Sequence, residues 1–192
     1  ATTGRLVAKR VGEILPLVAL ATLLWLGVLA LRLLAPARLE SVGHLVRDAR
    51  EDRYLRTLES LAWTVVAALP LAVALWLGGS LLQDVGERGK YSDSLGVTLH
   101  ALVLPAFTLG FLAWLVRDRG LAHVHFRWTR QRREALQAVM RWLPWVLLPL
   151  YFVVALGFER GQELAVDVSG RLAAVAAALV GAATLAWLLG PD

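Results

Sequence analysis

Five apolar runs, each close to the length needed to cross a bilayer, constrain this chain more than any other feature. They are Ile14 to Ala35, Leu61 to Leu82, Leu95 to Val116, Trp142 to Phe158, and Arg171 or Leu172 to Leu189. About 20 apolar residues at 1.5 Å rise match a hydrocarbon core of about 30 Å. Inside that core every backbone N–H and C=O must pair within the protein, so only helices and closed barrels can span. The runs do not alternate polar with apolar, which excludes a barrel. The expectation is an all-α membrane protein with about five transmembrane helices and no soluble domain. Of the 192 residues, 58% are hydrophobic and 18% charged, only modestly outside the soluble range. What decides the class is that the charges sit in blocks between the runs.

These blocks set the organisation. Residues 1–13 form an N-terminal tail with Arg5, Lys9 and Arg10. Its charged start resembles a signal peptide, but the following run is too long for a signal core and four more runs follow. Residues 14–116 hold the first three spans. Pro36 is expected to stop or turn the chain after the first, and 37–60 reads as a helical connector near the membrane surface, with a plain solvated helix as the alternative. Residues 117–141 form a basic loop and a short helix beginning near Thr129, and 142–192 hold the last two spans. The absent initiator Met and the end at Gly190-Pro191-Asp192 suggest a piece of a longer chain.

Charge sets the expected orientation. The first and third loops carry 12 basic residues, against 7 in the tail and the other two loops. The richer side should be cytoplasmic, which puts the N-terminus outside and the C-terminus inside. The net charge of +5 then reads as basic loops beside anionic lipid, not as a nucleic-acid surface.

Little in the chain points to chemistry. No Asp or Glu lies in the middle of a span, which argues against a proton- or ion-driven carrier. Cysteine is absent. His100 enters the third span near its outer end and reads as structural. The serines lie at span ends or in loops, and none is embedded in a span with His100, as an intramembrane serine nucleophile with its base would need. His123 and His125 lack a third metal ligand. No phosphate loop or dinucleotide fingerprint is present. No enzyme activity, cofactor or metal is expected.

The remaining features are mechanical. Pro16, Pro70, Pro105, Pro144 and Pro149 lie in or just inside spans, and Pro70, Pro105 and Pro149 are the candidate bend sites. Trp63, Trp76, Trp114, Trp142 and Trp187 sit near span ends and, with Arg117, Arg127 and Arg141, are candidate headgroup anchors. On the fifth span Ala174, Ala178, Ala182 and Ala186 fall four apart, a candidate face for close helix packing, and Ala173, Ala177 and Gly181 line an adjacent one.

The stretch Gly120-Leu121-Ala122-His123-Val124-His125-Phe126-Arg127-Trp128 resembles the G-[LV]-A-x-x-H-F-x-W segment of the large MscS-like mechanosensitive channels, the MscK and MscM or KefA-like type. Arg132 to Arg141 running into Trp142-Leu143 and Val146 to Leu150 is similar to the same family. So are Leu61-Ala62-Trp63-Thr64 with Ala68-Leu69-Pro70-Leu71, and Asp167 to Leu172, where Val168-Ser169 departs from the usual Ser-Leu. The resemblance covers about residues 50 to 190. It implies paired, lipid-facing helices of a sensor paddle in a bacterial inner-membrane channel that releases solutes and ions on hypo-osmotic shock. It further implies a homoheptamer, with membrane lipids as partners and the pore helix and cytoplasmic vestibule in other parts of a longer chain. The alternative is a membrane part of a transporter or a scaffold subunit of a membrane complex.

The basic bias generates a test of topology. A cysteine placed beside His125 in this cysteine-free chain should stay unlabelled by an impermeant thiol reagent in intact cells and label after permeabilisation; labelling in intact cells would reverse the orientation.

Overall fold

The computed structural model describes residues 2–48, 53–85, 91–117, 130–159 and 164–189. They form five α-helices: α1 (Thr2–Asp48), α2 (Arg53–Val85), α3 (Tyr91–Leu115), α4 (Arg130–Glu159) and α5 (Leu164–Leu189). Among the described residues there is no strand. Each helix contains one segment long and apolar enough to cross a membrane: Leu15–Leu39, Thr57–Asp84, Tyr91–Leu115, Arg133–Glu159 and Val168–Trp187.

The helices outrun the apolar segments. At 1.5 Å per residue the 47 residues of α1 extend about 70 Å, more than twice a hydrocarbon core. Pro36 lies inside α1 and does not end it. It forfeits one backbone bond, but Ala37, Arg38, Leu39 and Glu40 behind it favour helix, and the helix runs on to Asp48. The expected connector over 37–60 is therefore divided between the last turns of α1 and the first turns of α2. The short helix expected from near Thr129 likewise continues unbroken into the fourth span as α4.

Packing runs in series: α1 on α2, α2 on α3, α3 on α4 and α4 on α5, with α2–α3 the most extensive pair. The α2–α3 pair is antiparallel, since Ala68 meets Gly110 while Gly79 meets Gly96 further along α2 and earlier in α3. Its seam is built on small residues: Gly79 against Gly96 and Ala68 against Gly110. Elsewhere Thr64, Ala67 and Ala72 on α2 and Thr98, Leu102 and Ala106 on α3 are also buried. Lipid tails are as apolar as leucine, so helices in a bilayer are held by close backbone approach more than by a hydrophobic drive, and small residues permit it. The second pair, α4–α5, closes at Gly157 and Gly170, where a Cβ on Gly170 would lie 3.2 Å from the Gly157 Cα.

Surfaces away from the seams are apolar and exposed: Leu15, Leu23 and Leu33 on α1, Leu71 on α2, Leu104 on α3, Trp145 and Phe158 on α4, Leu172, Val175 and Leu179 on α5. Buried residues make up 28% of the span of α2, 11% of that of α5 and 6% of that of α1, so the ends of the row face outward over most of their circumference.

The glycine contacts yield a stability ranking. A Cβ at Gly79 would fall 2.8 Å from the Gly96 carbonyl oxygen, and one at Gly96 would fall 2.8 Å from that of Gly79. Gly79→Val or Gly96→Val should lower unfolding stability in detergent by about 2 kcal/mol. Gly27→Ala and Gly181→Ala, where no atom lies within 4 Å, should be near neutral.

Candidate functional site

Trp114, near the end of α3, is the centre of the one described core cluster. It is buried with Ala35 and Leu39 of α1 and Ala67 of α2, and Trp63 packs against them. Three helices therefore meet at one indole. Two guanidinium groups approach the same ring: Arg32 of α1, 5.7 Å from its centroid, and Arg117, just past α3, at 4.5 Å. The quadrupole of an indole attracts a cation over its face. Arg32, the one charge within the first apolar run, thus reaches back to a ring supplied by the third.

Below Trp114 along α2 and α3 the polar groups are satisfied locally. Thr64 donates to the Ser60 carbonyl at 2.7 Å, Thr98 to Ser94 at 2.7 Å, Thr108 to Leu104 at 2.9 Å and Thr184 on α5 to Val180 at 2.7 Å. Each hydroxyl thereby stays on its own helix, four residues back. Other donors reach across helices. The Trp25 indole N–H of α1 donates to the Pro70 carbonyl of α2 at 3.0 Å. The Gln137 amide of α4 donates to the Val116 carbonyl at 2.7 Å, and Val116 is buried. That carbonyl follows the last turn of α3, where carbonyls lack intrahelical partners.

At the opposite end of the α2–α3 seam, His100 Nε2 lies 3.0 Å from the Trp76 carbonyl and 3.1 Å from Ser80 Oγ. The Ser80 hydroxyl donates to the same Trp76 carbonyl at 3.0 Å. Ser80, at the end of its span, reaches His100 because antiparallel pairing brings together residues 20 apart. The arrangement is still not a nucleophile and its base. A carbonyl only accepts, so Nε2 carries the proton and donates, and the serine proton is also directed at the carbonyl. Gly79 and Gly96 lie against this group, and the imidazole would be 2.7 Å from a Cβ on Gly79. Among the described residues no group of three or more His, Cys, Asp or Glu could hold a metal ion.

The candidate residues distribute as follows. Trp114 is buried at the three-helix junction and Trp63 is half-buried beside it, while Trp76, Trp142 and Trp187 are exposed. Arg117 and Arg141 are exposed; Arg127 lies outside the described residues, as do His123 and the rest of the G-[LV]-A-x-x-H-F-x-W segment. Pro70 is buried, Pro105 half-buried and Pro149 exposed, each inside its helix. Ala174, Ala178, Ala182 and Ala186 are exposed, and the face of α5 carrying Gly170, Ala173 and Thr184 is the buried one. The residues missed from sequence are Trp25, Ser80, Gln137 and the stacking of Arg32. Trp25 gave a usable signal, since a tryptophan in mid-span, away from the headgroups, needs an acceptor for its N–H.

The family model described as mechanosensitive ion channel inner membrane domain 1 matches residues 15–192. No curated protein matches the chain, and no solved structure matches it.

The inter-helix hydrogen bonds carry a prediction. His100→Ala should weaken the α2–α3 pair by about 0.6–1.7 kcal/mol, the range for such bonds in membranes. Ser80→Ala should cost less, because the Trp76 carbonyl keeps its histidine donor. Unfolding of the purified protein from detergent into sodium dodecyl sulfate measures both.

Proposed function

Because this chain belongs to the mechanosensitive ion channel inner membrane domain family, we propose that its five helices are the lipid-facing, tension-sensing part of a channel that opens on hypo-osmotic shock. The observation that carries this reading is the serial packing. Each helix rests mainly on its neighbours in sequence, and the end helices bury the smallest share of their spans. A channel gated by tension opens because expansion in the membrane plane lowers the energy by tension multiplied by the area gained. A row of helices with few long-range ties changes tilt and area at lower cost than a closed bundle.

In this reading the pore helix and cytoplasmic vestibule belong to other parts of the full-length protein, a homo-oligomer of seven in the bacterial inner membrane. The N-terminus is outside and the basic loop 117–141 cytoplasmic. Exposed Trp76, Trp142 and Trp187, with Arg117, Arg127 and Arg141, hold the helices at headgroup depth. Pro70, Pro105 and Pro149 are the points where α2, α3 and α4 bend. The outward face Ala174, Ala178, Ala182 and Ala186 meets a helix beyond these five, as small faces do.

Patch-clamp of the full-length protein under graded suction is the test. Pressure-dependent, weakly selective current is expected, with a threshold that shifts when Ala178 and Ala182 are both replaced by leucine. Absence of such current rejects the reading, as does an unchanged threshold after removal of residues 14–189 from a pore that still inserts. An unchanged threshold in the double leucine variant alone rejects only the packing face.

A further inference from the structure

Trp25 and Pro70 both lie in the middle of their spans, ten residues or more from either end of Leu15–Leu39 and Thr57–Asp84. At 1.5 Å per residue that leaves about 15 Å of helix on each side. The 3.0 Å hydrogen bond from the Trp25 indole N–H to the Pro70 carbonyl therefore forms at a depth where no water competes for either group. Its acceptor belongs to the residue where α2 is weakest. Proline has no N–H, so the helix lacks one ladder bond there and bends most easily at that point. A carbonyl has two lone pairs, so the Pro70 oxygen can accept from Trp25 as well as from its own helix.

The face that α1 turns inward is narrow. Ala21 and Ala35 are buried and Trp25, Val28, Leu29 and Arg32 half-buried, a single stripe at helical spacing, while Leu23 and Leu24 beside it are exposed. Lipid tails solvate such apolar residues as well as a protein neighbour does, so the stripe by itself holds α1 weakly. Two stronger features lie along it. Towards one end, Ala35 and Leu39 enter the Trp114 junction and Arg32 stacks on the indole. At the centre stands the Trp25 bond. Opening that bond leaves the indole N–H in hydrocarbon without an acceptor, which favours its closing again.

We infer that the bond from Trp25 to Pro70 is a latch between α1 and the bending point of α2. While it is closed, α1 lies along α2 and the angle of α2 at Pro70 is held. When the row widens, the bond opens, α1 swings away about the Trp114 junction and α2 is free to change its bend. The role of this latch in gating rests on the tension-sensing reading.

Two measurements on the full-length protein test it. The first is the spin-label distance between L17C and D84C, at exposed positions of α1 and α2, in bilayer nanodiscs and diluted with unlabelled protein. Consecutive spans run in opposite directions, so both labels sit at the end of the pair that opens. Trp25→Phe keeps a ring and removes only the donor. It should raise the long-distance population by roughly threefold to twentyfold, the worth of a hydrogen bond within a membrane. The second is patch-clamp, in which Trp25→Phe should open at lower suction than the wild type. Trp145→Phe, the same change at an exposed tryptophan of α4, should match the wild type in both. An unchanged distance distribution in Trp25→Phe overturns the latch, as does an equal effect of Trp145→Phe. A wider distribution with an unchanged threshold also overturns it, since the bond is then a structural tie alone. A wild type without pressure-dependent current rejects the tension reading and the latch together, whereas a wild type that gates, with Trp25→Phe identical to it, rejects the latch only.

Discussion

A backbone polar group in hydrocarbon has no water to turn to, and the rest of this structure depends on that constraint. It explains why the helices run through their prolines, since ending a helix within the bilayer leaves several groups unpaired where a proline leaves one. The hydroxyls of Thr64, Thr98, Thr108 and Thr184 bond back along their own helices for the same reason. The bonds that cross between helices follow the rule too. Those from Trp25, His100 and Gln137 all end on backbone carbonyls: two within α2, which a helix can share without losing its own pairing, and one past the end of α3, which has no intrahelical partner.

Given helices, the next question is what holds them side by side. Burial of leucine gains little when lipid is the alternative, so contact depends on how closely two backbones approach. The α2–α3 seam achieves this where Ala68 meets Gly110 and Gly79 meets Gly96, and the α4–α5 pair does so at Gly157 and Gly170. The large apolar side chains are left outside, reversing the pattern of a soluble core. The resulting row of helices has its extensive contacts between neighbours and few between distant members.

Trp114 shows how one side chain serves two ends. Its body fills the junction of α1, α2 and α3, and its ring face holds two cations near the level where the apolar runs stop. A tryptophan near a span end is ordinarily taken for a headgroup anchor. Here the indole is buried where three helices meet, with both guanidinium groups over its ring.

The sequence by itself determined the class, the number of spans and their limits to within a few residues at most ends, because the length of an apolar run is a local property measured against a fixed bilayer thickness. It also carried the family, through short motifs and through spans such as Leu61 to Leu82. It did not determine which faces pack. Ala174, Ala178, Ala182 and Ala186 make the most regular small stripe, yet α5 turns Gly170, Ala173 and Thr184 to α4. Gly96, His100 and Gly110, on a helix with no obvious stripe, meet α2 in the largest seam. Helical periodicity tells which residues share a face but not which face finds a partner. That choice, and with it the meeting of Ser80 with His100 and of Arg32 with Trp114, depends on antiparallel pairing between distant segments, and only the tertiary structure decides it.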